Sequence, residues 1–164
     1  MASKGAATMR LYLMRHGQAS NMADTDHERP LTQKGRSRSE STARILANLE
    51  ITPDVIFASP RVRAQETAQI ISEAINVPVT TSDLVNFSFD IDSLEVLIGG
   101  MEYDAEVLFV GHNPSMSEVA EELTGTSISL KTGAIACVDV DPDDLEAGQL
   151  QWLVTSKIFA AIDD

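Results

Sequence analysis

Three short apolar runs, RLYLM at 10–14, DVIFAS at 54–59 and EVLFVG at 106–111, constrain this chain more than any other feature. Each is rich in branched side chains and lacks the polar alternation of a half-solvated strand, so each reads as a strand buried on both faces. Between them lie segments with helical periodicity and recognisable ends. Thr32 is placed to cap a helix running to about Leu49, with Thr42, Leu46 and Leu49 spaced for one face. Ser59 and Pro60 read as a cap and first-turn proline before Ala64, Thr67, Ala68, Ile71 and Ile75. Asp92 with Glu95 resembles a capping box ahead of Leu94, Leu97 and Ile98. Asn113 and Pro114 open a helix whose Met116, Val119, Ala120 and Leu123 face a core, and Gly125 closes it. VPVTTS (77–82), AIACVDV (134–140) and LQWLVT (150–155) are weaker strands, suited to the outside of the sheet. Strand then helix, repeated, implies an α/β fold with a parallel-rich sheet covered on both faces.

At 164 residues, 43% of them hydrophobic, the chain is long enough to bury a core without disulfides or a structural metal. Residues 1–9 read as a flexible leader before a single domain over 10–164. The leader lacks the apolar segment of a signal peptide, no run approaches bilayer-spanning length, and a cytoplasmic location is expected. The single cysteine, Cys137, sits in an apolar stretch and is expected to be a buried, reduced thiol.

The net charge of -13 argues against nucleic acid as a partner. Its distribution says more than its total. Residues 1–63 carry ten Lys/Arg and six Asp/Glu, while residues 64–164 carry two and nineteen. An anion site would therefore draw its arginines from the first part.

In parallel sheets ligands bind beyond the carboxyl ends of the strands. Arg15 and His16 follow the first strand, Ser59 to Arg63 follow the second, and His112 with Asn113 follows the fourth. The last two sites also begin helices, whose free N–H groups suit an anion. Two arginines, two imidazoles and helix ends form a cradle for a phosphoryl group, with His16 as nucleophile and Arg15, Arg63 and His112 around it. Gly17 is expected to let the backbone turn sharply beneath the phosphate. Arg29, Gln18 and Asn113 are candidates for substrate contact, and Ser20 and Asn21 for the mouth of the pocket. Arg61 reads as a solvated residue, and His27 as exposed and inert. Two distant histidines without neighbouring thiolates or carboxylates make a poor zinc pattern, so neither a metal nor another cofactor is expected.

LYLMRHGQAS (11–20), RPLTQKG (29–35), ASPRVRAQETA (58–68) and VGHNPSM (110–116) together resemble the histidine phosphatase superfamily, also called phosphoglycerate mutase-like. The wording of the four blocks is most similar to its short bacterial phosphohistidine phosphatases of the SixA type. The resemblance implies a three-layer α/β/α sandwich whose sheet of about six strands is mostly parallel with one antiparallel strand. It implies that His16 becomes transiently phosphorylated while Arg15, Arg63 and His112 hold the phosphoryl oxygens. Neutral His16 must then offer one ring nitrogen, its other nitrogen donating to a carbonyl, with Arg15 disfavouring protonation. His112, if protonated, adds charge from the opposite side.

Family members that cleave esters usually carry a carboxylic acid for the leaving alkoxide. Asp83, Asp90, Asp92 and Glu95 lie in the relevant segment, and none sits in a recognisable motif. An imidazole leaves more readily than an alkoxide. The short segment between Arg63 and the fourth strand also leaves an open cleft, which suits phosphohistidine on a signalling or phosphotransfer protein. Two alternatives stay open: a phosphomonoesterase for a small-molecule ester, and an inactive phosphate-binding module. The expected partner is a phosphorylated substrate, with no membrane and no nucleic acid. The sequence does not fix the oligomeric state, and a monomer is expected.

Overall fold

Alternation along the first strand organises the two cores. In the computed structural model, which describes residues 8–163, strand β1 runs from Met9 to Arg15. Leu11 and Leu13 pack on one side of the sheet, and Tyr12 and Met14 on the other, all at most 3% exposed. Of the segment read as a leader, residues 1–7 lie outside the described residues, and Met9 is buried.

The remaining elements are α1 (Gln33–Asn48), β2 (Val55–Ala58), α2 (Val62–Ile75), β3 (Val79–Thr81), a 3₁₀ turn (Asp83–Val85), α3 (Ile91–Ile98), β4 (Glu106–Gly111), α4 (Ser115–Thr124), β5 (Ile135–Asp141), β6 (Asp144–Val154) and α5 (Ser156–Ile162). They form one six-stranded sheet in the order β3-β2-β4-β1-β5-β6. The β1–β4, β2–β4 and β2–β3 pairings are parallel. β5 pairs antiparallel with both β1 and β6, so β5 alone runs against the rest. This is the three-layer, mostly parallel α/β sandwich with one reversed strand that the family resemblance implies. Leu46 of α1, Ala64, Ala68 and Ile71 of α2 and Phe159 of α5 fill one face, against Tyr12 and Met14. Leu94 of α3 and Met116, Val119 and Leu123 of α4 fill the other, against Leu13 and Phe109.

Helix ends follow the local chemistry, with three departures from the sequence reading. Thr32 caps α1 as expected, its Oγ1 accepting from the Gly35 N–H at 2.9 Å, but Leu49 lies just beyond the helix and is 60% exposed. α2 begins one turn edge later than Ser59–Pro60 implied, at Val62, with Arg61 in the cap position. The cap of α3 is Asp90, which accepts from Ser93 N at 2.8 Å, instead of Asp92, because this phase lets Ile91 reach the core. Gly125 closes α4 in the left-handed region at φ 70°, where a side chain would be strained.

Candidate active site

Sheet register brings the two histidines together. β1 and β4 are parallel neighbours with Arg15 opposite Gly111, so the next residue on each strand, His16 and His112, leaves the sheet at the same level. The His16 N–H donates to Gly111 O at 2.9 Å, and the two rings lie 5.2 Å apart, edge to face. One strand over, Ala58 is opposite Val110, which delivers Ser59 beside His112. A cavity of about 300 Å³ opens here, lined by Arg15, His16, Gln18, Arg29, Arg63, His112 and Asn113, together with Ala19, Phe87 and Thr132. The first seven are the residues singled out from the sequence.

His16 is 8% exposed and held at both ring nitrogens. Nδ1 lies 2.6 Å from Gly17 O, a pure acceptor, so Nδ1 carries the proton. Nε2 accepts from Arg63 Nε at 3.3 Å and keeps its lone pair. Burial lowers the imidazole pKa to about 4; the Gly17 carbonyl opposes this, and the charges of Arg63, Arg15 and Arg29 reinforce it. The sequence reading gave that role to Arg15, whereas loss of water is the larger cause. The ring is neutral at physiological pH.

His112 does not meet the condition under which it would add charge. It is 1% exposed, and burial, with the nearby His16, Arg63 and Arg61, lowers its pKa to about 3. Its Nε2 pairs with Ser59 Oγ at 2.8 Å. That hydroxyl also accepts from the Arg61 N–H at 3.2 Å, so Ser59 fixes the orientation of the His112 ring at Nε2. Among the described residues, the buried Nδ1 has no partner, nor does Nε of Arg15, whose Nη1 donates to Leu130 O at 3.1 Å. Two buried polar nitrogens left unpaired on residues that line one cavity are a costly arrangement unless a ligand pairs with them.

Arg63, in the first turn of α2, is 3% exposed. Besides His16 it donates to the Asp26 backbone carbonyl at 2.8 Å and to Asp26 Oδ2 at 3.1 Å. Asp26 was not singled out from the sequence, yet it also binds Arg61 at 2.7 Å and Arg29 at 3.1 Å. Its position three residues before Arg29 was the available signal. Arg61 is correspondingly not a solvated residue. It donates to Asn86 Oδ1 at 3.0 Å, and its guanidinium carbon lies 4.1 Å from the centre of the Phe87 ring. Phe87, also missed, packs against His112 at 4.8 Å between ring centres. An aromatic flanked by polar residues in VNFSF was its only trace.

The remaining candidates divide. Asn113 lines the cavity, but its amide is committed, Nδ2 donating to Leu130 O at 2.7 Å and Oδ1 accepting from Ser117 Oγ at 2.8 Å. Gln18 is exposed and accepts from Thr32 Oγ1 at 2.8 Å. Ser20 and Asn21 lie outside the lining; the Ser20 carbonyl takes Arg29 Nε at 2.8 Å. His27 is exposed. None of Asp83, Asp90, Asp92 and Glu95 lines the cavity. Gly17 has no positive φ; its value is closeness, since a Cβ there would meet Ser39 Oγ at 2.9 Å. Among the described residues no group of three or more His, Cys, Asp or Glu side chains is placed to hold a metal ion. Likewise, no helix is long and apolar enough to cross a membrane.

Comparison with known proteins agrees with this geometry. The model of the histidine phosphatase superfamily, branch 1, matches residues 11–88. An uncharacterized protein of Picosynechococcus is 34% identical over 138 residues, covering 77% of this chain and 82% of its own. The phosphohistidine phosphatase SixA of Escherichia coli is 28% identical over 139 residues, covering 81% and 86%. A solved structure of the protein histidine phosphatase SixA complexed with tungstate superposes with a TM-score of 0.83 at 26% identity, over 92% of this chain and 99% of the other. The four sequence blocks, the sheet order and the paired histidines therefore have one explanation: this chain belongs to the histidine phosphatase superfamily.

Proposed function

We propose that the protein is a phosphatase that passes the phosphoryl group through His16, and that its substrate is phosphohistidine on a signalling or phosphotransfer protein. The observation that carries this reading is the pair of hydrogen bonds that fixes His16, with Nδ1 on Gly17 O and Nε2 presented as a lone pair beside Arg63. A neutral imidazole held in one tautomer is a ready nucleophile.

In the first step Nε2 attacks phosphorus and forms an N–P bond as the bond to the substrate nitrogen breaks. The departing imidazole takes a proton from solvent at its free nitrogen and leaves neutral. In the second step water attacks phosphorus, the N–P bond breaks back to His16, and inorganic phosphate carries away the water's oxygen. In this reading Arg15, Arg63 and His112, which line the cavity, receive the oxygens whose charge grows in both steps. The cavity lining holds no carboxylic acid, and an imidazole leaving group needs none. The nearby Asp26 is committed to three guanidiniums. The related SixA proteins, one of them solved with the oxyanion tungstate, support the same chemistry. In this reading the reaction uses no metal or other cofactor and takes place in the cytoplasm.

The test is a substrate panel under equal conditions: a histidine-phosphorylated carrier protein, an aryl phosphate and sugar phosphates. The reading expects the highest kcat/KM for the phosphohistidine protein. Preference for a sugar phosphate would replace it by a small-molecule phosphomonoesterase, and turnover of none by a phosphate-binding module.

A further inference from the structure

We propose that Asp26 acts as a charge filter: by occupying Arg29, which lines the cavity, and Arg61, which stacks on the Phe87 of that lining, it withholds them from any second anionic group on the substrate. The consequence is a site for a single phosphoryl group on a carrier with no neighbouring anion. Phosphoglycerates, sugar bisphosphates and diphosphates are disfavoured. This rests on the reading of the cavity as a phosphoryl site.

The inner and outer arginines are wired differently. Arg15 is bound to a carbonyl and keeps a buried, unpaired Nε, and Arg63 is turned towards His16. Arg29 and Arg61 have neutral partners at Nε, Ser20 O and Asn86 Oδ1, and their one carboxylate in each case is Asp26. Oδ1 of Asp26 takes Arg29 at 3.1 Å, while Oδ2 takes Arg61 at 2.7 Å and Arg63 at 3.1 Å. One carboxylate thus stands among three guanidiniums, where a second anion of the substrate would otherwise be received.

Asp26 is no stray loop residue. Its own carbonyl accepts from Arg63 Nη1 at 2.8 Å, and the carbonyl of the following residue, His27, accepts from Val62 N at 3.0 Å. These bonds fasten the loop between β1 and α1 to the start of α2. The carboxylate therefore starts from a backbone position fixed beside the three guanidiniums it binds. Burial works to raise the Asp26 pKa, but the hydrogen bonds from Arg29 and Arg63 and the charges of Arg63 and Arg61 outweigh it, so the group stays ionised. Asp24 and Glu28 on the same exposed loop add to the negative field.

Calorimetric titration of the whole chain with inorganic phosphate and with methylenebisphosphonate tests the filter without requiring turnover. The wild type is expected to bind phosphate and to bind the bisphosphonate no more tightly. Asp26→Asn should bind the bisphosphonate roughly tenfold tighter relative to phosphate, as one freed charge-assisted contact predicts. Asp26→Glu, which keeps the charge, should retain the wild-type ratio, and Arg61→Met added to Asp26→Asn should remove the gain. An unchanged ratio in Asp26→Asn, a gain in Asp26→Glu, or a gain that survives loss of Arg61 overturns the filter. Loss of phosphate binding in Asp26→Asn also overturns it, because Asp26 would then serve to hold Arg63 in place. If the wild type binds neither ligand, the phosphoryl reading of the cavity fails first, and that result is distinct from the others.

Discussion

Arg63 Nε donates to His16 Nε2 across 3.3 Å, so the guanidinium points at the lone pair that the mechanism needs. An arginine in that place does two things. It opposes protonation of the imidazole, and it stands where an oxygen of an attacked phosphoryl group would arrive. Arg63→Ala should lower kcat/KM by about 10²–10³, the usual cost of one preorganised donor to developing charge. Arg63→Lys should recover little of it, because an ammonium lacks the fork that reaches His16 and the Asp26 carbonyl together. Steady-state kinetics on phosphohistidine protein reads both.

The two histidines set the acid side of the pH profile. In the free enzyme His16 titrates near 4, so kcat/KM should hold from pH 7 to 5 and fall only as pH approaches that value. A fall centred near 6.5 would contradict the buried, neutral ring. The same shifts bear on stability. Folded pKa values of about 4 and about 3 lie below the unfolded value of 6.5, so the unfolded chain binds more protons in that window. The contribution of the two histidines is complete above about pH 6.5 and drains away as pH falls towards 3. Thermal melts should show this decline, and His112→Gln should flatten it.

Ser59→Ala tests the positioning of His112. Its hydroxyl pairs with His112 Nε2 at 2.8 Å, and removing it leaves a second buried ring nitrogen without a partner among the described residues. We expect a stability loss of about 1–3 kcal/mol, the cost of an unsatisfied buried polar group. We also expect a lower kcat, as the ring loses its fixed orientation. Chemical denaturation and kinetics measure the two effects separately.

Much of this was legible in the chain. RLYLM, DVIFAS and EVLFVG announced buried strands because strands covered on both faces need apolar residues at every position. Their polar continuations, Arg15–His16 and His112–Asn113, followed as strand-end groups. β6 was only half visible. Its first six residues, DLEAGQ, form an edge that is mostly exposed, so they carry no apolar pattern, and the strand starts at Asp144 and not at 150. Asp26 and Phe87 were hidden for another reason. Each meets its partners across long sequence distance, Asp26 to Arg61 and Arg63, Phe87 to His112, and local pattern holds no record of such contacts. The neutral state of His112 was likewise invisible, since burial depends on everything packed around it.

Gly35 tests the junction that holds the first loop in place. A Cβ built there would run into the backbone oxygen of Gln18, which itself accepts from Thr32 N at 2.9 Å. Neither partner is a movable side-chain tip, so Gly35→Ala should cost about 1–3 kcal/mol, as overpacking does. Denaturant midpoints give the figure, and a neutral result would contradict the close approach of α1 to this loop.

Isolation of the phosphorylated chain decides the central point. The protein is mixed with ³²P-labelled phosphohistidine protein, quenched in base and separated, and the labelled peptide is sequenced. Label that survives base, is lost in acid and maps to His16, disappearing in His16→Ala, is the predicted result. Label on a serine or cysteine, or hydrolysis that persists in His16→Ala, would contradict a mechanism that passes the phosphoryl group through His16.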